Sequence, residues 1–457
     1  MTAAETSGSF EGFEQKVGRF DVSGKTLLLP DMNPFGSRLL AASFRAFGVP
    51  ALVMETYKGL TWGREFTSGK ECFPCQITLG DVLQYLHQEK ERLGEGFTVD
   101  HYVYFLPEAD GPCRFGMYNK MQRLVLDRFE EFRDIPIAYL STQDSYAAAG
   151  LLPARAARYF RRVAYVASII GDVLERIVWR VRPYEWRPGM TDAFMERGLK
   201  TMEALTEAVG AKRRFHRLYT LLEDIAATAR TFIDPDKPRR PRIGIIGEIY
   251  LRCHPHANQQ IIQELERLGG EVVNASVGEW INYISYDQSR KLRREMRQAR
   301  RRQDLLALPG LVRQWLAQEV EKGYQSWRQH QAFRCALRHL DVQPDHSIAT
   351  VERRLDNGHL FNFDIGTEAA LSIGGALEYA HEGFDGVVNV YPFTCMPSTI
   401  CSAILKPLLH QKKLPYLDAS FDGTIQPNHE AVLRTFMYQA QQHQLQRLSC
   451  KPVSSEQ

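Results

Sequence analysis

Short apolar segments that alternate with stretches of helical periodicity constrain the fold of this chain most strongly. Four such segments lie near the amino terminus, and four more lie in the second half of the chain; they occupy residues 25–30, 51–55, 101–107 and 135–140, then 242–249, 271–276, 386–390 and 416–420. Strands that alternate with helices pair in parallel and carry helices on their faces. The sequence therefore predicts an α/β protein with two doubly wound parallel-sheet domains.

The regions between the two series predict the domain organisation. Residues 151–238 show helical periodicity without a convincing strand and are interpreted as a helical insert. Its end overlaps a linker rich in proline and charge, DPDKPRRPR at residues 234–242. We therefore predict an amino-terminal α/β domain over residues 1–150 and a carboxy-terminal one over 239–445. The second includes a charged helical excursion at about 289–345, and a polar tail follows at 446–457.

Composition excludes several classes of protein. The 457 residues carry a net charge of +3, which is too balanced to indicate nucleic acid as a partner. No apolar run approaches the roughly 18 residues needed to span a bilayer, so no membrane partner is expected. The amino terminus is polar and acidic, unlike a secretory signal, which favours the cytoplasm. In that reducing compartment, the eight cysteines are expected to be unbridged, metal-bound or catalytic.

Three cysteine-bearing turns are the strongest chemical signal. Cys72 and Cys75 lie in KECFPCQITLGD, Cys113 lies in GPCRFGMYN, and Cys395 and Cys401 lie in YPFTCMPSTIC. Each turn has Pro or Gly where a strand is predicted to have ended and a helix is about to begin, which is where open α/β sheets bind ligands. Thiolates from three segments would form a soft-ligand site of the kind that holds iron–sulfur clusters. The alternative is that these are small buried apolar residues.

Longer motifs around these turns resemble one family. They are ECFPCQITLGD, GPCRFGMYN, IGIIGEIYLRCHPHANQ, VGEWINY, DGVVNVYPFTCMPSTI and LPYLDASFDG. Together they resemble the 2-hydroxyacyl-CoA dehydratase D-component superfamily. The nearest branch is that of the acyl-CoA dehydratase activase-related proteins, which includes the double-cubane cluster proteins. The resemblance extends from about residue 25 to residue 441.

The resemblance implies a fold and an activity. Family members have Rossmann-like α/β domains around a cysteine-ligated [4Fe-4S] cluster, or two cubanes bridged by sulfide. A separate ATP-hydrolysing activator supplies one low-potential electron. In the dehydratases, this electron reduces a CoA thioester to a ketyl radical, which makes loss of the hydroxyl group feasible.

The resemblance also implies a ligand set. Cys72, Cys113 and Cys395 match the core ligand positions of a single cubane. A double cubane would need additional thiolates, for which Cys75, Cys253 and Cys401 are the candidates. The two alternatives stay open at this stage.

Polar residues beside the same segments are candidates for catalysis. Glu248 and Arg252 follow a predicted buried strand, where they could face the cleft. Arg114 could neutralise the negative charge of a cluster bound by Cys113, although it could equally cap a turn. His254 and His256 are expected in a surface loop, with a metal or proton role as the alternative.

Two further segments have competing interpretations. Residues 289–303 carry eight Lys or Arg residues, which suits a solvated helix, a surface for an acidic partner, or attraction of a phosphorylated cofactor such as CoA. DIGT at 364–367 has a faint likeness to a phosphate-binding loop, but a helix N-cap by Thr367 explains it better. ATP hydrolysis is therefore expected in a partner.

These observations lead to one functional hypothesis and two alternatives. The chain is expected to be an iron–sulfur protein that accepts low-potential electrons from a separate ATP-dependent activator and reduces a small substrate. The first alternative is a subunit of a 2-hydroxyacyl-CoA dehydratase. The second is a component for electron transfer or cluster scaffolding without catalysis of its own. A homodimer is compatible with all three.

Overall fold

A computed structural model describes residues 16–449 except 21, 110, 143–145 and 147. Within this part of the chain, strands β1 to β9 are Val17–Gly18, Thr26–Leu29, Ala51–Val53, Tyr102–Phe105, Ile137–Ala138, Arg242–Gly247, Glu271–Asn274, Gly386–Pro392 and Tyr416–Phe421. Helices α1 to α8 are Pro34–Ala46, Leu60–Glu65, Phe73–Leu93, Tyr118–Leu126, Ala154–Val181, Met190–Val209, Phe215–Arg230 and Ile249–Cys253. Helices α9 to α15 are Ile261–Arg267, Val277–Arg301, Leu308–Leu337, Ile348–Asn357, Glu368–His381, Met396–Gln411 and His429–Ser449.

The strands form two parallel sheets, which confirms the α/β prediction. One sheet has the order β1-β5-β4-β2-β3, and the other has the order β7-β6-β8-β9. Every pairing in both sheets is parallel. Each of the eight predicted strands is present, most of them shorter than predicted, and β1 is an additional short edge strand.

The central strands β2 and β6 are apolar and buried after their first residue. Strand β2 reads TLLL, and Leu27 and Leu28 are fully buried. Strand β6 reads RIGIIG and is buried from its second residue onward. Continuous apolar runs of this kind are typical of strands inside parallel sheets.

The described residues divide into two compact units, and each unit consists of segments that are not contiguous in the sequence. The first unit extends to Asp172 and also contains Gly198–Leu222 and Ile281–Arg334. The second contains Val173–Arg197, Glu223–Trp280 and the described residues from Cys335 onward. The helices of the predicted insert are thus distributed over both units.

Glycines hold helices α2 and α3 unusually close together in the first unit. A Cβ on Gly59 would lie 2.0 Å from the carbonyl oxygen of Gly80, and one on Gly80 would lie 2.2 Å from that of Gly59. A Cβ on Gly63 would lie 1.8 Å from the carbonyl oxygen of Gln76. These backbones touch because no side chains separate them, and the contact fixes α3, the helix that Cys72 precedes.

The predicted N-cap of Thr367 is confirmed, and Asn33 caps helix α1. The Oδ1 atom of Asn33 accepts hydrogen bonds from the backbone N–H groups of Phe35 (3.0 Å) and Gly36 (2.6 Å). The hydroxyl of Thr367 accepts one from the N–H of Ala369 at 3.2 Å. Such bonds satisfy donors that the first helical turn leaves open.

The remaining structural expectations have mixed outcomes. The basic segment at 289–303 lies mainly in helix α10, as expected. The last helix continues to Ser449, and the rest of the predicted tail lies outside the described residues, as does the amino-terminal segment before residue 16. Among the described helices, none is both long enough and apolar enough to cross a bilayer.

Candidate functional site

Two of the three cysteine turns share a local design, although the two belong to different units. Cys72 is the N-cap residue of α3, and Cys395 is the N-cap residue of α14. Each is followed, two residues later, by a proline in the first helical turn. Each sulfur is therefore placed beside backbone N–H donors and the positive end of a helix dipole, which favour a thiolate.

The backbone is strained or glycine-dependent at all three cysteine turns. Cys72 itself has φ of 98°, Thr394 directly before Cys395 has φ of 65°, and Gly111 before Cys113 has φ of 98°. Residues other than glycine rarely adopt positive φ, and such strain is concentrated at functional sites. Sequence reading did not reveal this feature, because two of these positions are not glycine.

The structure brings the Cys72 and Cys113 turns together in the first unit. The guanidinium of Arg114 donates a hydrogen bond to the backbone carbonyl of Lys70, two residues before Cys72. Phe115 packs against the hydrophobic cluster that contains Cys72. Arg114 thus has the turn-fixing role that the sequence analysis left open. Arg114 also places a positive charge next to Cys113, which is partly exposed.

Cys75 is enclosed in the core of the first unit. Cys75 has no exposed surface, and its sulfur lies 3.9 Å from the sulfur of Met121 and 3.8 Å from the amide nitrogen of Gln122. Burial raises the pKa of the Cys75 thiol to about 12. This environment suits a protonated, apolar cysteine better than a ligand.

A short helix that the sequence analysis missed precedes the first cysteine turn. Helix α2, Leu60–Glu65, lies between strand β3 and Cys72. Cys72 therefore does not follow a strand directly, as the sequence pattern predicted. The segment carries two glycines, Gly59 and Gly63, whose close contacts with α3 compensate for their low helix propensity.

In the second unit, buried carboxyl groups influence the Cys395 thiol. Burial raises the pKa of Cys395 to about 12, with further contributions from the nearby charges of Glu368 and Glu248. Cys401 is more deeply buried in α14, and its sulfur lies 3.8 Å from the carbonyl oxygen of Ala369. Both thiols are therefore protonated at neutral pH until a positive group compensates them.

Glu248 caps a helix at the carboxyl end of strand β6. Its carboxylate accepts hydrogen bonds from the backbone N–H groups of Tyr250 (3.0 Å) and Leu251 (2.9 Å). Burial and then the neighbouring Glu368 raise the pKa of Glu248 to about 7, against the lowering effect of these two hydrogen bonds. Burial also raises the pKa of Glu368. Two buried carboxyl groups with raised pKa thus lie close to Cys395.

Arg252 is a buried cation near the same carboxyl groups. Its side chain donates hydrogen bonds to the backbone carbonyls of Gly247 (3.3 Å) and Ser276 (3.1 Å). Its Nε atom is buried and finds no hydrogen-bond partner among the described residues. A buried guanidinium with a spare donor is suited to an environment in which negative charge is added.

Cys253 and His254 have structural contacts. The Cys253 sulfur lies 3.8 Å from the amide nitrogen of Asn274. His254 is buried, and its Nδ1 accepts a hydrogen bond from the N–H of Ala257 at 3.0 Å. Burial, and then the neighbouring His256, lower the pKa of His254 to about 3, so its ring is neutral. His254 is therefore a core histidine, contrary to its expected place in a surface loop.

The described residues show thiol donors but no grouped ligand set. Within the described part of the chain, no three His, Cys, Asp or Glu side chains are grouped so as to hold a metal ion. In the first unit, Arg114 places positive charge beside the Cys113 thiol; in the second, Cys395 begins a helix and Arg252 lies near Glu248. Thiolate ligands, backbone N–H groups and local positive charge are what a cluster requires.

Sequence reading missed two buried carboxyl groups in the first unit. Burial raises the pKa of Asp31 to about 6, and burial together with nearby Asp31 raises that of Asp81 to about 7. Asp81 accepts hydrogen bonds from the Thr56 hydroxyl (2.7 Å) and the Tyr57 N–H (2.8 Å). Asp31 follows strand β2 by two residues, so a carboxylate at a strand end could have revealed it.

Comparison with known proteins adds no independent assignment. No family model matches this chain, and no curated protein matches it. The likeness of the cysteine motifs to the dehydratase superfamily therefore stays a prediction that rests on those motifs.

Proposed function

We propose that this chain is a cytoplasmic iron–sulfur protein with Rossmann-like domains, which accepts low-potential electrons from an ATP-hydrolysing activator and reduces a small substrate. Cys72, Cys113 and Cys395 are its proposed cluster ligands. In this proposal, the activator and the [4Fe-4S] cluster are inferred from the motifs that resemble the dehydratase superfamily. A double cubane is less well supported, because the Cys75 and Cys401 side chains have almost no exposed surface.

One observation carries the proposal: the arrangement of Cys72 recurs at Cys395. In each case the cysteine is an N-cap, a proline follows two residues later, and a non-glycine residue at or just before the cysteine has positive φ. A buried apolar cysteine needs neither a helix terminus nor a strained backbone. The recurrence in two separate units supports selection for a ligand role.

The residues around these thiols have distinct roles in the proposal. A bound cluster would supply one-electron chemistry at low potential. Arg114 positions the Cys113 turn by its bond to Lys70, and Arg252 provides positive charge beside Glu248 and Glu368. Neutral carboxyl groups can release protons, and adding electrons to a small substrate usually requires them. Glu248, with a pKa near 7, is the best placed of the described groups to do so.

This protonatable pair favours a reductase over a passive scaffold. A pure electron carrier has no need for buried carboxyl groups with raised pKa beside its ligands, since each costs stability at neutral pH. A dehydratase subunit acting on a CoA thioester is the second candidate. The resemblance supports it, and the same carboxyl pair could protonate a leaving hydroxyl group.

Anaerobic purification with iron and sulfide quantitation tests the proposal. The wild-type protein is expected to be brown, to absorb broadly in the visible range and to lose colour in air. Cys113→Ala is expected to lower the iron content strongly, because it removes a proposed ligand. Cys113 is partly exposed, so this replacement should leave the hydrophobic core intact.

Cys335→Ala is the matched control. Cys335 is a buried cysteine within helix α11 and lies in none of the cysteine turns. Iron content should be unchanged in this variant. Full iron content in Cys113→Ala, or equal losses in both variants, would contradict the ligand assignment.

A further inference from the structure

The second unit contains a cavity of about 440 Å³ at the amino ends of its strands. Arg242, the first residue of β6, and Glu271, the first residue of β7, both line it. Glu248 and Cys395 follow the opposite, carboxyl ends of β6 and β8. The cavity is therefore separate from the cysteine turns, and its volume is within the range of small-molecule sites.

Positive charge dominates the lining of this cavity. Seven basic side chains face four acidic ones: Arg176, Arg180, Lys237, Arg239, Arg240, Arg242 and Arg447 against Asp234, Glu271, Asp341 and Glu382. A concave surface with an excess of positive charge attracts anionic ligands.

Two of these arginines are held at the ring of Tyr184. The guanidinium carbon of Arg180 lies 5.0 Å from the ring centroid, and that of Arg240 lies 5.7 Å from it. The Tyr184 hydroxyl donates a hydrogen bond to Glu271 at 2.7 Å, which fixes the ring. One aromatic side chain thus contacts two cationic side chains of the lining. An anion in the cavity would be attracted by both positive charges.

The donors of these two arginines are only partly used. Arg180 lies 3.9 Å from Glu271, which is beyond hydrogen-bond distance. Arg240 donates one N–H to the backbone carbonyl of Glu266 at 2.7 Å. Each guanidinium carries five N–H groups in a planar fork, so both retain donors for a ligand.

Other basic residues of the lining are fixed in place by internal acids. The side chain of Arg447 makes hydrogen bonds of 3.0 and 3.2 Å to Asp385, and Arg176 makes one of 2.8 Å to Asp345. These pairs build a rigid wall, whereas Arg239 is exposed at the rim. A preformed wall with adjustable cations at its mouth reduces the ordering cost of binding.

We infer that this cavity binds a small molecule that carries a diphosphate group. Phosphate oxygens match the planar fork of arginine in bidentate geometry, and a diphosphate carries enough charge to engage several cations at once. The cavity is too small for a folded macromolecule but accommodates a phosphorylated metabolite. This site goes beyond the proposed electron-transfer function and does not depend on it.

Calorimetric titration of the full chain with pyrophosphate tests this inference. Pyrophosphate is expected to bind at one site per chain, with an affinity that falls as salt is added. The double variant Arg180→Gln/Arg239→Gln is expected to bind at least about tenfold more weakly, because charge-assisted hydrogen bonds are lost. Arg239→Gln alone, at an exposed position, should show a smaller loss without affecting folding.

Arg434→Gln is the matched control. Arg434 is an exposed arginine of α15 that is paired with Glu430 and does not line the cavity. Its affinity for pyrophosphate should equal that of the wild type. Unchanged binding in the double variant, or equally tight binding of malonate, would overturn the inference. Iron content measured in the same samples keeps this result independent of the proposed cluster.

Discussion

The contact between helices α2 and α3 gives a prediction whose size can be worked out from the structure. In Gly80→Ala, the new Cβ would lie 2.2 Å from the carbonyl oxygen of Gly59, whereas ordinary contacts begin near 3.4 Å. The two backbones must therefore separate by about 1 Å along this contact. No flexible side chain can yield instead, because the opposing atoms belong to the backbone.

The expected loss is the difference between two effects. Overpacking a tight contact typically costs about 1–3 kcal/mol, and rigid backbone atoms place this site at the upper end. Replacing a helical glycine by alanine returns about 1 kcal/mol of helix propensity. Gly80→Ala should therefore lower the free energy of unfolding by about 2 kcal/mol.

Gly323→Ala provides a matched control within helix α11. A Cβ at Gly323 would meet no atom within 4 Å, so only the propensity gain remains. This variant should be more stable than the wild type by up to about 1 kcal/mol. Denaturant unfolding followed by circular dichroism would measure both changes. If Gly80→Ala were as stable as Gly323→Ala, the close approach of α2 and α3 would be refuted.

Three further predictions concern charge. Replacing Arg297 and Arg301, on the exposed part of α10, by Glu should slow activator-dependent reduction at low salt while the iron content stays constant. Unaltered reduction kinetics would show that this part of α10 is a solvated surface without a docking role. Burial and Asp31 raise the pKa of Asp81 to about 7, so this carboxyl alone should contribute a loss of up to about 4 kcal/mol of unfolding free energy between pH 4 and 7. In urea titrations, the Asp81→Asn variant should show a shallower decline of stability with pH than the wild type; an equally steep decline would contradict the raised pKa. Burial acts to raise the pKa of Asp385, but hydrogen bonds from His443 and Arg447 lower it overall. The stability that Asp385 contributes is therefore present at neutral pH and lost on acidification. Asp385→Asn should therefore cost about 1–3 kcal/mol at pH 7 and progressively less below pH 4; a constant cost would contradict the ion pair.

Local patterns in the chain were sufficient to predict the strands and several helix ends. Apolar runs such as TLLL in β2 are typical of a strand that is buried on both faces, and such a run is visible within a few consecutive residues. The Asn33 and Thr367 caps were predictable for the same reason, because each side chain bonds to the backbone two or three residues ahead.

Sequence reading was less successful where burial decides the chemistry. His254 was expected in a loop but is enclosed, because the segment after α8 turns back into the core. Helix α2 was missed because its glycines argue against a helix, and their contacts with α3 favour it only once both helices are packed.

The sequence by itself determined the parallel α/β class and the choice of Cys72, Cys113 and Cys395 as candidate ligands, because strand patterns and turn motifs are local. Tertiary structure alone decided the raised pKa of Glu248 and the cavity that Arg180 and Arg240 line. These properties depend on desolvation and on charges brought together from distant parts of the chain, and neither quantity can be read from neighbouring residues.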